Sequence, residues 1–269
     1  MLEVTSLGSG SSGNALLIRT EETALLIDCG VGIRRLTSSL GALGIELAGI
    51  DAVLISHEHS DHIRELPRFV SAGKHVISTR GTAIASRISP QTRGEHLAAR
   101  PIRFNDIEIV AIPVTHDAAE PCGFLVRTST GSVTALTDLG CPSGAAAEAI
   151  GESQLVVLEA NHDEALLKRG PYPLHLQRRI LSATGHLSNA DCGELLATAL
   201  RGSRQLPTVW LAHLSETNNR PHLARQTVAR RLAHCGLALD IQALPRRSAS
   251  ETWSPGHARQ GVAQLALDL

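Results

Sequence analysis

Short apolar runs rich in Val, Ile and Leu alternate along this chain with stretches in which apolar residues recur every three or four positions. The runs at 2–7, 15–19, 24–27, 51–55, 75–78, 107–114, 124–127, 132–136, 154–158, 208–211 and 237–242 are bounded by turn-forming or charged residues and predict strands. The stretches at 32–43, 63–72, 81–88 and 221–234 predict helices, as does the basic segment around Arg178 and Arg179. A further helix to about 200 is predicted after Ser188 or Asn189, either of which suits a helix N-cap. Residues 90–100 are polar and predict irregular chain. Strands interleaved with helices over this length predict one α/β (α+β) domain, residues 1–244, large enough to bury a substantial core.

Several predicted strands stop at a residue that can bind a cation. The densest case is DAVLISHEHSDHIREL at 51–66, where the apolar run ends at Ser56 and His57, His59, Asp61 and His62 follow. Neutral imidazole and carboxylate are ligands that zinc, manganese and iron accept. His57 and His59, two apart, leave one side of extended backbone, whereas Asp61 and His62 open the next helix and point elsewhere, so one loop could serve two ions. An isolated histidine is usually an incidental turn residue; the joint pattern after an apolar strand is not. Further along, 107–114 delivers His116 and Asp117, 132–136 leads to Asp138, and 154–158 runs into EANHD with Asn161 and His162. His186 lies in TGHLSN, His213 follows the run 208–211, and Asp28 closes the run 24–27. The loop GSGSSGN at 8–14, carrying Ser11, Ser12 and Asn14, could cradle phosphate with backbone N–H groups or simply turn a hairpin; it lacks the lysine of a P-loop.

The HxHxDH loop resembles the hallmark of metallo-β-lactamase-fold hydrolases, and the resemblance runs from residue 1 to about 244. SLGSGSSGN, SHEHSDH, LEANHD, GPYP, GHLSN and AHLSETNN together look like the WalJ/YycJ-type subgroup, and GHLS and AHLS are similar to histidine motifs of the phosphodiesterase branch that includes ribonuclease Z. The resemblance implies a four-layer αββα fold and two divalent metal ions per chain, Mn²⁺ or Zn²⁺ or iron. It implies His57, His59, His116 and Asp138 on one ion and Asp61, His62, Asp138 and His213 on the other, with Asp138 bridging and His213 preferred to His162. Asp28 is implied to orient a ligand from behind. Asp61, Asp138 and His186 are then candidate catalytic groups, His186 steadying the scissile phosphate or protonating the leaving oxygen. Ser11, Ser12, Asn14, Asn161, His162 and Ser188 are candidate substrate contacts. The activity implied is a 5′–3′ exonuclease on duplex DNA, serving DNA mismatch repair. An RNA phosphodiesterase, a lactonase, a glyoxalase-like thioesterase and a non-catalytic clamp-associated protein remain open as alternatives.

A net charge of −1 offers no global attraction for a polyanion, but the cations are nearly all arginine and include the pairs 34–35, 178–179, 230–231 and 246–247. Each pair could grip phosphate or merely solvate a helix face. The five cysteines are scattered, without Cys-x-x-Cys spacing, and read as free thiols. No apolar run is long enough to span a bilayer and the N-terminus lacks a signal-peptide layout, so a cytoplasmic protein with no membrane partner is expected. From Pro245 the chain turns to Arg, Ser, Pro, Gly and Gln, which predicts a flexible linker over 245–263. It ends in QLALDL at 264–269, which resembles the Gln-Leu-x-Leu-x-Leu peptide that docks bacterial repair proteins on the DNA sliding clamp. Gln264 would be the polar anchor and Leu265, Leu267 and Leu269 the apolar contacts. DNA and the clamp are the expected partners, the tether compensating for a modest overall charge.

Overall fold

Strands that are apolar on both faces need cover on both sides, and two stacked sheets with helices outside supply it. The computed structural model describes residues 1–89, 92, 94–97 (backbone) and 100–256. The first sheet has the order β1 (Glu3–Gly8), β2 (Ala15–Arg19), β3 (Ala24–Ile27), β4 (Ala52–Ile55), β5 (His75–Thr79) and β6 (Gly94–Leu97). The second comprises β7 (Ile102–Phe104), β8 (Ile107–Pro113), β9 (Cys122–Arg127), β10 (Ser132–Leu136), β11 (Leu155–Glu159), β12 (Thr208–Ala212) and β13 (Ile241–Ala243), each strand beside the next in number. With the first sheet go α1 (Ile33–Ala42), α2 (Ser60–Ile63), α3 (Leu66–Ser71) and α4 (Arg80–Ala85). With the second go α5 (Gly144–Gly151), α6 (Glu164–Arg169), α7 (Leu174–Ile180), α8 (Asn189–Ala199) and α9 (Pro221–Ala233).

Period-two alternation sorts the side chains into three cores. In β4, Ala52 and Leu54 face the second sheet and meet Phe124, Val133, Val157 and Trp210, while Val53 and Ile55 face Leu36 and Leu40 of α1 and Phe69 of α3. In β11, Leu155 and Val157 point between the sheets, and Val156 and Leu158 pack under Leu195 and Leu196 of α8 and Val228 of α9. Each buried Leu, Ile, Val or Phe contributes about 1.5–3 kcal/mol. The result is the four-layer αββα arrangement expected.

Strands β3 to β6 run parallel, as do β10 to β13, so within each group the carboxyl ends lie at one edge. Most strand boundaries agree with the hydropathy pattern within a residue or two. The helix expected over 63–72 is instead two pieces, because Pro67 stands at the start of α3 and cannot continue a helix begun at Ser60. Residues 94–97, expected to be irregular, pair with β5 as β6.

The expected linker also needs correction. Trp253 exchanges both backbone hydrogen bonds with Val4, at 2.8 and 2.9 Å, and Ser250 N–H donates to the Ser6 carbonyl at 2.8 Å. The described part of 245–263 is thus a strap covering the free edge of β1, an edge that would otherwise expose unpaired backbone groups. Residues 257–269, including the clamp-like peptide, lie outside the described residues.

Three loops interlock at the sheet edge. Asn14 N–H donates to Asp61 O, Cys29 N–H to His62 O and Gly30 N–H to Asn14 O, all at 2.8 Å. A Cβ at Gly30 would lie 1.6 Å from Asp61 O, a backbone atom that cannot swing away. Gly30→Ala should therefore lower stability by at least about 3 kcal/mol, the upper range for overpacking, measured as a shift of the urea midpoint; an unchanged midpoint would refute this contact.

Candidate metal centre

The strand ends converge on one buried point. The loop after β4 places His57 in the interior and His59 half-buried, and the single turn of α2 carries Asp61 and the fully buried His62. His116 follows β8, Asp138 follows β10 and His213 follows β12, all three buried. Four sets of ligand atoms gather within 4.8 Å: His57, His59 and His116; His57, His62 and Asp138; Asp61, His62 and His213; and Asp138, Glu159, His186 and His213. Each of the first three sets draws on both sheets. Asp138 reaches toward all of them: its carboxylate lies 3.0 Å from His62 Nε2, 3.6 Å from His116 Nε2 and 3.5 Å from His213 Nδ1. Asp61 Oδ2 lies 3.6 Å from His62 Nε2 and 3.5 Å from His213 Nε2.

Asp28, Asp138 and His213 have φ of 60°, 55° and 53°. Left-handed backbone is uncommon outside glycine and costs about 1–2 kcal/mol. Three such residues within two positions of a strand end turn their side chains into the cluster, and strain of this kind concentrates at functional sites.

The donor set fits divalent cations. His57 Nε2 is buried without any hydrogen-bond partner, and Asp138 Oδ2 and His213 Nε2 have only other candidate ligands, His62 and Asp61, beside them. Unpaired buried polar atoms of this kind are costly unless something else satisfies them. Asp28, Asp61, Asp138 and Glu159 also lie in or against the cluster, and among the described residues none pairs with a lysine or arginine. Burial, reinforced by nearby His62, pushes His57 down to about 2, leaving its imidazole neutral and its lone pair free. Burial opposes ionisation of Asp61, but the His213 hydrogen bond and the neighbouring imidazoles outweigh it and hold the carboxyl at about 2. Burial likewise opposes charge on His213, but Asp138, Asp61 and Glu159 lift it to about 10. The carboxylates thus favour positive charge in the cluster, whether a metal cation or a protonated imidazole.

Polar partners behind the ligands fix their rings. Asp28 accepts from His62 Nδ1 at 2.7 Å and from Ser56 N–H at 2.9 Å. A second carboxylate does the same on the opposite wall. Glu159, fully buried, lies 2.8 Å from His213 Nδ1 and 2.9 Å from His186 Nδ1, and accepts from the backbone N–H of Leu139 at 2.8 Å. Burial disfavours its charge, yet His186 and His213 hold its carboxyl at about 2.

A β-lactamase superfamily domain profile matches residues 23–210. The chain belongs to the β-lactamase superfamily. Within it, the chain is 32% identical over 259 residues to the exodeoxyribonuclease WalJ of Streptococcus pneumoniae, covering 93% of this chain and 95% of the relative. It is 30% identical over 253 residues to the exodeoxyribonuclease YycJ of Bacillus anthracis, covering 88% and 92%. Its fold is shared with the metallo-β-lactamase fold protein YhfI of Bacillus subtilis, at a TM-score of 0.70 and 15% identity over 93% of this chain and 98% of that one. Superfamily membership and the histidine–aspartate cluster make the chain a metal-dependent hydrolase.

The structure brings His57, His59, Asp61, His62, His116, Asp138 and His213 together, and it places His213 rather than His162 beside Asp61 and His62. His186 is also at the centre, its pKa raised because Glu159 and Asp138 outweigh the effect of burial. Asp117 is a neighbour, its carboxylate held 2.7 Å from Arg179 Nε. The expected substrate contacts divide. Ser11 and Ser12 are exposed on the loop after β1. Asn14, Asn161, His162 and Ser188 are all buried. Asn14 accepts from Gly10 N–H and reaches His62 Nε2 at 3.2 Å, Asn161 donates to His213 O at 3.0 Å, and Ser188 caps α8. Asn14 and Asn161 brace the centre, whereas both ring nitrogens of His162 are buried without a partner. Glu159 received no role from its sequence, although it ends a strand as Asp28 and Asp138 nearly do. Glu159→Gln should weaken metal binding at the His213 position about 10–100-fold, measured by chelator competition; unchanged affinity would show that Glu159 does not act on His213.

Proposed function

We propose that this chain is a dinuclear-metal phosphodiesterase, a 5′–3′ exonuclease on duplex DNA that acts in the cytoplasm in DNA mismatch repair and is recruited by the sliding clamp. The observation that carries the reading is the pair of ligand sets meeting at Asp138, in a chain that aligns nearly end to end with two exodeoxyribonucleases. His57, His59, His116 and Asp138 would hold one divalent ion and Asp61, His62, Asp138 and His213 the other. Manganese, zinc and iron all suit this donor set. Two such ions supply Lewis-acid charge at the phosphoryl oxygens and ease deprotonation of water.

The chain's own residues do the rest. Asp138 offsets cationic charge on both sides of the centre, so that both ligand sets can be held close together. His186 is 18% exposed at the side chain and is the one imidazole of its set that reaches the surface. It can present a proton from Nε2 to a leaving oxygen while Glu159 holds Nδ1. Glu159 thereby fixes the tautomer and aim of His186 and steadies His213 at the same time. The buried walls around His57 and His62 keep bulk water from competing for the ligands.

The deciding experiment is digestion of 5′-labelled and 3′-labelled linear duplex with manganese or zinc, comparing wild type with Asp61→Ala plus His62→Ala. Release from the 5′ end should require metal and fall about a thousandfold or more in the variant, the scale of several kcal/mol lost from an ion-stabilised transition state. Intact duplex despite full metal occupancy would move the reading to RNA or a small ester. Removing residues 264–269 should abolish clamp binding while turnover of free DNA is kept; lost intrinsic turnover would defeat the tether.

A further inference from the structure

Beside the metal centre, an open cleft of about 580 Å³ runs between the start of α1, the turn joining α2 to α3 and the C-terminal strap. Ser12, Arg34, Arg35, Arg64, Glu65 and Arg247 line it. Arginine is always protonated, so four cationic residues line one space against a single carboxylate. That carboxylate is engaged elsewhere: Glu65 accepts from Ile33 N–H at 3.0 Å and from Arg68 Nε at 2.7 Å. Arg34 and Arg64 are exposed and, among the described residues, neither guanidinium has a hydrogen-bonded or ion-paired partner. Arg35 reaches only the Arg246 carbonyl, at 3.4 Å. Arg247 touches Glu216 at 3.1 Å with both side chains well exposed, a surface pair that contributes under about 1 kcal/mol and yields easily to a better acceptor.

Such a concentration of cation stands out in a chain whose net charge is −1. α1 also begins at this cleft, although its first N–H, on Ile33, is already bonded to the Glu65 carboxylate. Two of its lining residues neighbour the metal centre in sequence. Ser12 lies two residues before Asn14, which touches His62, and Arg64 lies two residues after His62.

We propose that this cleft is the phosphate-binding track for the substrate strand, with Arg34 and Arg64 as its principal anchors and Arg35, Arg247 and Ser12 completing it. The proposal rests on the nuclease reading and deepens it. Anionic phosphate is the ligand that suits exposed, unpaired guanidinium forks beside a helix start, and the volume accommodates a sugar-phosphate unit. The cleft carries no aromatic side chain for stacking, so it would grip the backbone regardless of sequence.

The test measures binding of the metal-loaded enzyme to a labelled duplex with phosphorothioate linkages, which keep the charge and resist cleavage, across a salt series. Arg34→Ala plus Arg64→Ala should weaken binding at least about tenfold and flatten the slope of log K against log salt by about 2, and Arg247→Ala by about 1. Arg201→Ala plus Arg204→Ala, in the loop before β12 at the far end of the sheet, should change neither. Because Arg247 is largely exposed, its variant decides the matter even if the double variant folds poorly. Each variant is run on 5′-phosphorylated and 5′-hydroxyl duplex. A loss confined to the phosphorylated end identifies the terminal phosphate as the ligand, and an equal loss on both identifies internal phosphates. Unchanged affinity and slope, or an equal loss in the control pair, would overturn the track. Wild-type failure to cleave ordinary duplex would instead overturn the nuclease reading alone.

Discussion

Buried negative charge faced only by histidines is the constraint from which the rest of this molecule follows. Asp28, Asp138 and Glu159 are withdrawn from water, Asp61 is half-buried, and no lysine or arginine among the described residues pairs with them. Each buried carboxylate carries a desolvation penalty of several kcal/mol unless something compensates it. Backbone N–H groups and imidazole N–H groups compensate part, and cations must supply the remainder. The parallel strands end at a common edge, so the acids and histidines are delivered to one place. Left-handed backbone at Asp28, Asp138 and His213 and the interlocking of the loops at 8–14, 28–30 and 60–62 are the local costs of holding them there.

The parts of this arrangement that were legible in the sequence are those set by local pattern. An apolar run is readable as a strand, and the residue that ends it is readable as exposed to the edge of the sheet; His57, His116, Asp138 and His213 all follow from that. What was not legible depends on contacts between distant segments. Glu159 looks like any strand-terminal acid until His186 and His213 arrive at it from elsewhere in the chain. Asn14, Asn161 and Ser188 have side chains equally able to meet a substrate or a neighbouring carbonyl, and only the packing assigns them to the interior. The strap over β1 has the composition of a linker. It is ordered by backbone pairing, which composition does not encode, and by Arg246, whose guanidinium caps the Leu214 and Ser215 carbonyls at 2.9 and 2.6 Å beside His213.

Charge shows the same division between pattern and packing. Four arginine pairs were equivalent in the sequence, and the fold gives them different duties. Arg179 is bound to Asp117 near His116, and Arg231 is paired with Glu194 on the outer helices. Arg34 and Arg35 meet Arg247, more than two hundred residues away in sequence, at a single cleft, while Arg246 turns to the Leu214 and Ser215 carbonyls. A near-neutral total can therefore conceal a strongly directional field, which matters for a polyanionic substrate.

The ligand sets take members from both sheets, with His57, His59, Asp61 and His62 from one and His116, Asp138 and His213 from the other. An ion seated there acts as a staple across the sandwich, much as a disulfide would, but one whose strength follows mass action. At a free ion concentration a hundred times its dissociation constant, each such staple adds about 2.7 kcal/mol to the folded state. The molecule's resistance to unfolding is therefore set partly by the metal supply around it, and chelation loosens the two halves of the sandwich as well as emptying the centre.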